Sequence, residues 1–268
     1  TKAGQDRVEL TIVDDGSSDS ETVRIIDVLR AGGRQVISTN GIGLAAARNL
    51  AMAASATRAI IPLDADNRLH PPLVDAVEML EDDRADVVHG PWRRFGMDHG
   101  LVDPPMMVLD SLLPGNTIDA CALISRDLLE RLGGWDPELP FWEDWDLWLG
   151  AIEAGARVRR VDEATFDYLV RPDSLSTLAR RDLMAHKQVV QHVAAKHVRL
   201  LGETSSRLVI QIHMLEVTRI ANQVAFSELE GAYRDLEVQQ VAVADAYRKL
   251  KHAYRALGRY QPEEPGRS

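Results

Sequence analysis

The sequence predicts an α/β fold in which a mostly parallel sheet is flanked by helices and followed by long C-terminal helices. Over residues 8–91, short apolar runs alternate with amphipathic stretches and short turns, which is typical of a right-handed parallel sheet. Two of these apolar runs end in acidic residues, at Asp14 and at Asp64. From residue 208 onward, a heptad pattern continues for about seven repeats, which predicts a long helix that pairs with another helix.

The individual elements are predicted from apolar runs and from the residues that stop them. Strands are predicted over residues 8–13, 35–38, 58–63, 86–91, 117–125, 158–161 and 165–170, with the last two as a closing pair. Helices are predicted over residues 20–31, 43–56, 74–80, 126–132 and 142–154. Asp19 or Ser20 caps the first helix, and Gly32-Gly33 ends it. Residues 92–115 are rich in proline breaks, so no element is predicted there.

The composition limits the possible classes of function. A hydrophobic content of 45% over 268 residues is enough for a sizeable core. The formal net charge of −10 argues against nonspecific nucleic-acid binding, which depends on Lys and Arg. Cys121 is the only cysteine, so no internal disulfide is possible and a reducing compartment is expected. No apolar run approaches the ~20 residues of a membrane-spanning helix.

Three acidic clusters follow one another along the chain and carry most of the functional information. They are Asp14-Asp15, Asp64-Ala65-Asp66 and Glu143-Asp144. Carboxylates at strand ends converge on the edge of an open α/β sheet where ligands bind, and Mg²⁺ or Mn²⁺ prefers such oxygen ligands. The third cluster opens a helix, where the dipole favours negative charge. Each cluster alone also fits helix capping or a solvated loop, but together they predict a metal–nucleotide site with a separate general base.

These clusters, with the motifs around them, resemble family 2 glycosyltransferases of the GT-A fold, which has a Rossmann-like sheet. The motifs that carry the resemblance span residues 40–49, 63–67, 133–137, 143–148 and 171–176. The resemblance covers about residues 8–178. It implies that a sugar moves from a nucleotide-sugar donor to an acceptor hydroxyl with inversion, in a reaction that depends on Mn²⁺ or Mg²⁺.

The resemblance also implies a role for each matched residue. The donor would be bound by Asp14, Asp15, Arg48, Asp64 and Arg171, with Asp15 on the nucleotide base. The metal would be held by Asp66 together with Asp64, and the acceptor site would include Trp135, Asp136 and Glu143. Asp144 would be the general base. Many relatives carry His at the position of Arg171; because Arg cannot ligate a cation, Arg171 is expected to clamp phosphate.

The resemblance divides the chain into three parts. Residues 1–178 would form an N-terminally incomplete transferase domain, residues 179–260 a helical or coiled-coil extension, and residues 261–268 a disordered tail. The family's usual first strand and its Pro-x-Tyr-Asn-like turn have no counterpart before Val8, so the chain is either a fragment or inactive as it stands. In the extension, a row of alanines beside the heptad seam favours antiparallel pairing or a small bundle. A homo-oligomer or a helical partner is therefore expected through residues 208–257.

Several points stay open at the level of the sequence. The donor could be a UDP-, GDP- or dTDP-sugar, and the acceptor a saccharide or a lipid-linked molecule, as in the synthesis of bacterial cell-surface polysaccharide or glycoconjugates. A cytoplasmic location is expected, with a peripheral position at the inner face of the membrane as an option. The alternatives are an inactive transferase-like scaffold that acts through its coiled coil, and a nucleotidyltransferase. The latter would need a Gly-rich basic loop after the first strand, and none is visible.

Overall fold

The structure, a computed structural model, describes residues 8–82, 84–171 and 182–257 of the chain. Two compact units are present, Thr1–Val217 and Thr218–Ser268. The predicted tail at 261–268 and most of the motif at 171–176 lie outside the described residues. The predicted α/β fold with a long C-terminal helix is confirmed, but the sheet is not mostly parallel as predicted, because four of the seven strand pairs in the described residues are antiparallel.

Strands and helices alternate as far as residue 60, and after that both come in groups. The strands are β1 (Thr11–Asp14), β2 (Gln35–Ser38), β3 (Ala59–Ile60), β4 (Arg68–Leu69), β5 (Val87–His89), β6 (Trp92–Gly96), β7 (Gly100–Val102), β8 (Leu123–Ser125), β9 (Val158–Arg160) and β10 (Phe166–Val170). The helices are α1 (Ser20–Ala31), α2 (Leu44–Ala54), α3 (Pro71–Asp75), α4 (Val77–Glu81), α5 (Leu109–Leu112), α6 (Arg126–Leu132), α7 (Glu143–Glu153), α8 (Leu183–Lys196) and α9 (Val198–Leu257). Within α9, Gly202 has a φ of 69° and departs from helical geometry.

The strands pair in three sheets whose pairing is mixed. β1 and β2 are parallel, and the other two sheets have the orders β4-β10-β6-β7 and β3-β8-β5-β9. The pairs β5–β9 and β6–β10 are also parallel, whereas β8 runs antiparallel to both of its neighbours. The predicted closing pair is wrong, because β9 pairs with β5 and β10 pairs with β6 and β4.

Local signals explain most of the element boundaries. α1 begins at Ser20 because the Asp19 carboxylate accepts a hydrogen bond from the Thr22 amide at 2.9 Å. α6 ends at Gly133, whose φ of 81° closes the helix in the left-handed region. The strand predicted over residues 58–63 is shorter, since Pro62 has no amide hydrogen to donate to a neighbouring strand. In residues 92–115, where no element was predicted, the structure has β6, β7 and α5.

The main core is built around helix α7. Trp145 and Trp148 are fully buried, and their indole nitrogens donate to the carbonyl oxygens of Leu112 and Ile118 at 2.8 and 3.0 Å. Helix α8 contributes Val189, Val190, Val193 and Ala194 to the same apolar cluster. α8 was assigned to the helical extension from sequence, but it packs within the core. These contacts hold the first turn of α7, and with it Glu143 and Asp144, in a fixed position.

Candidate active site

Arg48 lies at the centre of a cluster that joins three separate parts of the sequence. Its Nη2 donates to Asp64 Oδ1 at 2.9 Å, and its Nη1 donates to a carboxylate oxygen of Glu143. The Arg48 side chain is 10% exposed and that of Glu143 is 5% exposed. The helix that carries Arg48 starts directly after Gly43, and Glu143 opens α7. Three residues predicted for the site therefore meet in the structure.

The charge on Arg48 is stabilised by these carboxylates. Burial alone would lower the pKa of the Arg48 guanidinium, but Asp64 and Glu143 outweigh that effect and hold the pKa above its usual value. Arg48 is therefore a permanent, largely desolvated cation. A planar guanidinium of this kind is suited to pair with phosphate oxygens as well as with carboxylates.

Asp144 is held by two hydrogen bonds next to this cluster. Asn116 Nδ2 donates to Asp144 Oδ2 at 2.7 Å, and the Trp145 amide donates to Asp144 Oδ1 at 3.0 Å. Burial raises the pKa of the Asp144 carboxyl to about 8, and the negative charges of Glu143 and Asp119 add to the effect. Asp144 can therefore take up and release a proton close to neutral pH.

Asp119 and Asn116 also belong to the cluster, although neither was predicted from the sequence. Burial raises the pKa of Asp119 to about 6, and the charge of Asp64 acts in the same direction. The Cys121 amide donates to Asp119 Oδ1 at 2.9 Å and opposes the shift. An acid within the apolar run predicted at 117–125 is the signal that could have identified Asp119. Asn116 stands just beyond a proline-rich segment and gives no such signal.

Asp15 holds the loop that leads into α2. Its carboxylate accepts hydrogen bonds from Thr39 Oγ1 at 2.6 Å and from the amides of Ile42 and Gly43 at 2.7 and 2.8 Å. The bond from Thr39 contributes most to the lowered pKa of Asp15. The neighbouring Asp14 accepts a bond from the Ser17 amide at 3.0 Å. Asp15 thus fixes the backbone immediately before the helix that carries Arg48.

A second carboxylate–arginine pair joins Asp66 and Arg171. Arg171 Nη2 lies 3.0 Å from Asp66 Oδ2, and the two side chains are 49% and 31% exposed. The Asp64 side chain, in turn, is 41% exposed beside Arg48. Asp64 and Asp66 therefore each face an arginine and also reach solvent.

Asp64 and Asp66 fit a hard divalent cation by the chemistry of their donors. Both supply carboxylate oxygens, the ligands that Mg²⁺ and Mn²⁺ prefer. Among the described residues, Arg48 is the one cation that acts on four neighbouring carboxyls in this cluster, those of Asp64, Asp119, Glu143 and Asp144. A bound cation would relieve this imbalance.

A different trio has the ligand spacing of a metal site. Within the described ranges, three His, Cys, Asp or Glu side chains with ligand atoms inside 4.8 Å of one another occur at Asp136, Glu138 and His192. Lys196 Nζ donates to Asp136 Oδ2 at 2.9 Å, and His192 Nε2 lies 3.0 Å from the same oxygen. This oxygen already has a cationic partner, which disfavours a metal ion there.

The remaining predicted acceptor residues are engaged in structural contacts. Trp135 is 1% exposed, and its backbone exchanges hydrogen bonds of 2.8 and 2.7 Å with the Asn49 side chain. Burial alone would raise the pKa of Asp136, but its bonds from Lys196 and from other donors hold the pKa at about 2. In this conformation Trp135 offers no side-chain surface to an acceptor, and an acceptor role for Asp136 stays a prediction.

Comparison with known proteins adds a family and a fold. Residues 2–133 match the family model described as glycosyl transferase family 2. The chain is similar to the crystal structure of S. aureus TarS residues 1–349 in complex with UDP-GlcNAc, with 19% identity, a TM-score of 0.61 and coverage of 77% of this chain and 62% of that one. For the same TarS segment in complex with UDP, the identity is 18%, the TM-score 0.57 and the coverage 76% and 61%.

The chain spans about three fifths of the length of these two TarS structures. At this identity, the likeness to TarS establishes the fold. A search of curated protein sequences gave no match.

Proposed function

Because residues 2–133 match the model of glycosyl transferase family 2, we propose that this chain transfers a sugar from a nucleotide-sugar donor to an acceptor hydroxyl. The observation that carries the proposal is the cluster around Arg48. It combines a buried guanidinium suited to a diphosphate with Asp144, a carboxyl that exchanges its proton near neutral pH. The TarS structures hold UDP-GlcNAc or UDP, which supports a UDP-sugar as the donor ahead of GDP- or dTDP-sugars.

Donor binding would use the two arginines that carboxylates now neutralise. The donor diphosphate would approach Arg48 and Arg171, which carry the positive charge of the two pairs. Asp15 uses three of its roughly four acceptor positions on the loop before α2, which leaves one for an N–H of the nucleotide base. Asp14, the last residue of β1, would lie beside the nucleotide base.

Mn²⁺ or Mg²⁺ would be held by Asp66 together with Asp64. When bound, the cation would neutralise charge on the departing nucleotide diphosphate. Arg171 now pairs with Asp66, and it would transfer to phosphate when donor and cation bind. The support for this part of the proposal is the surplus of carboxylates over cations in the cluster.

Asp144 would act as the general base. Its carboxylate would accept the proton of the acceptor hydroxyl, while the hydroxyl oxygen forms a bond to the anomeric carbon. The bond from that carbon to the nucleotide diphosphate breaks on the opposite face, so the configuration inverts. Asn116 would hold Asp144 in place, and Glu143 would keep Arg48 oriented.

The proposal also covers the acceptor and the cellular location of the protein. A saccharide or lipid-linked acceptor in cell-surface polysaccharide or glycoconjugate synthesis would place the protein in the cytoplasm, at the inner face of the membrane when the acceptor is lipid-linked. Among the described residues, no helix combines the length and the apolar character needed to cross a bilayer. A second copy of the chain is the expected partner of residues 208–257.

Calorimetric titration of UDP, GDP and dTDP, each with and without Mn²⁺, tests the donor site. We expect UDP to bind in a Mn²⁺-dependent manner and the Asp66→Ala variant to lose that dependence. Asp75→Ala removes an exposed carboxylate at the end of α3 and serves as the matched control. Binding of no nucleotide would contradict the proposal. Metal-dependent binding without turnover would instead favour the transferase-like scaffold.

A further inference from the structure

The second unit, described for residues 218–257, is a helix that exposes an apolar stripe. Phe226, Leu229, Tyr233, Leu236 and Val243 are each between 56% and 68% exposed and recur at heptad spacing. Outside the stripe, the helix carries charges of both signs, such as Glu228, Arg234, Asp235, Arg248 and Lys249. An exposed apolar stripe with polar flanks marks a surface that another protein covers.

A row of small residues beside the stripe is symmetric along the sequence. At seven-residue spacing it reads Ala225, Ala232, Gln239, Ala246 and Ala253. The row is the same in both directions from Gln239. The adjacent heptad row is centred one position later, with Phe226 and Tyr233 before Gln240 and two tyrosines after it. A sequence that is symmetric about one residue suits pairing with an antiparallel copy of itself, because a two-fold interface brings the same surface from both chains together.

Antiparallel pairing about Gln239 places side chains of complementary size opposite each other. It sets Ala232 of one copy opposite Ala246 of the other, so that the two backbones can approach closely. The seam pairs nearest to this register are Tyr233 with Val243 and Leu236 with Gln240, whose midpoint, residue 238, lies one position from Gln239. Large side chains then face smaller ones, which is how interdigitated layers fill space.

Parallel pairing would combine the same residues less well. It would stack Phe226 on Phe226 and Tyr233 on Tyr233, without the β-branched residues that such layers prefer. It would also set the alanine row beside acidic positions such as Glu230, so the flanks would provide no pairs of opposite charge. The antiparallel arrangement is therefore favoured.

We propose that residues 218–257 form an antiparallel two-stranded coiled coil with a second copy of the chain, centred on Gln239. The two aromatic rings would each bury about 150–250 Å² if fully covered. With the aliphatic seam residues, the stripe offers an area of the order of the ~800 Å² per partner that a stable interface buries. The dimer would form through residues 218–257, whether or not the chain has the proposed transferase activity.

Light scattering during size exclusion of the full chain tests the assembly. At tens of micromolar protein we expect a dimer for the wild type and a monomer for Leu236→Glu. Val238→Glu is the matched control, since Val238 is 69% exposed on the same helix but lies outside the seam. A monomeric wild type, a higher oligomer, or equal dissociation of both variants would overturn the proposal.

Disulfide crosslinking tests the orientation. A mixture of Ala232→Cys and Ala246→Cys chains should form a crosslinked dimer, whereas Tyr233→Cys chains should not crosslink with themselves. The natural Cys121 is buried, so the wild type under the same oxidation gives the background. Efficient self-crosslinking of Tyr233→Cys, with none between positions 232 and 246, would show parallel pairing and overturn the proposal.

Discussion

Replacing Asn116 by leucine removes the amide that donates to Asp144 Oδ2 at 2.7 Å. Leucine has a similar shape, and the Oδ1 atom of Asn116 is buried without a hydrogen-bond partner among the described residues, so losing it leaves no other group unpaired. The substitution therefore tests the bond to Asp144 with little effect on the fold. An amide N–H favours the ionised form of the carboxyl, and its loss should raise the pKa of Asp144 further.

The size of the shift follows from the energy of that bond. A hydrogen bond to a charged group contributes about 1.5–3 kcal/mol, and one pKa unit corresponds to about 1.4 kcal/mol. The pKa of Asp144, at about 8 in the wild type, should therefore rise by about 1–2 units in Asn116→Leu. At pH 7 the ionised fraction, and with it kcat/KM, should fall ~10–100-fold.

The assay is the pH dependence of kcat/KM for release of UDP from a UDP-sugar in the presence of acceptor. The wild-type rate should rise with pH up to about 8 and then level off, while the Asn116→Leu profile should level off about 1–2 units higher. Thr117→Val is the control, since the Thr117 hydroxyl donates to the Ser111 carbonyl and not to Asp144. An Asn116→Leu profile that is lower at every pH with an unchanged apparent pKa would show that Asn116 does not act on the ionisation of Asp144.

Three further predictions concern stability and can be measured by urea unfolding. Arg48→Met leaves the buried Glu143 without its cation and should lower the free energy of unfolding by about 3–5 kcal/mol. Lys196→Met removes a 2.7 Å bond to the buried Asp146 and should cost about 2 kcal/mol. His89 is buried, and its burial, together with the charge of Arg160, lowers its pKa to about 4. As the pH falls, the unfolded chain therefore binds a proton at His89 before the folded chain does. The wild type should therefore lose up to about 3 kcal/mol between pH 6.5 and 4, and His89→Leu should lose less.

Each of these predictions has a result that would contradict it. Equal losses in Arg48→Met and in Arg58→Met, which removes an exposed arginine, would mean that the buried pairing contributes nothing. An unchanged free energy of unfolding in Lys196→Met would show that its bonds to α7 are not stabilising. Parallel stability curves for wild type and His89→Leu across the acid range would rule out His89 as the titrating group.

Elements that local chemistry determines could be predicted from the sequence. The Asp19 cap and the Gly32-Gly33 stop defined α1, and Ser125 with Gly133 defined α6. The pairing of the strands could not be predicted from the sequence, because β8 and β9 pair with strands that are distant from them in the chain. Nothing local in Val158–Arg160 indicates that its partner is β5 and not β10.

The candidate site shows the same division between local and long-range information. Asp64, Glu143 and Asp144 stand out in the sequence as acidic clusters, and Arg48 comes from the resemblance. The contact between Arg48 and Glu143 spans 95 residues and appears only in the folded chain. Asn116 was missed because it lies in a segment without periodicity. Trp135 was expected to shape the acceptor site because the motif names it, yet packing buries its side chain in the core.

The most direct test of the central claim compares turnover and donor binding in Asp144→Asn. The control is Asp127→Asn, because Asp127 is also the second residue of its helix but is exposed. All three proteins should bind UDP with Mn²⁺, and Asp144→Asn alone should lose transfer by at least ~100-fold, as expected when a general base is removed. Full turnover by Asp144→Asn would show that Asp144 is not the general base.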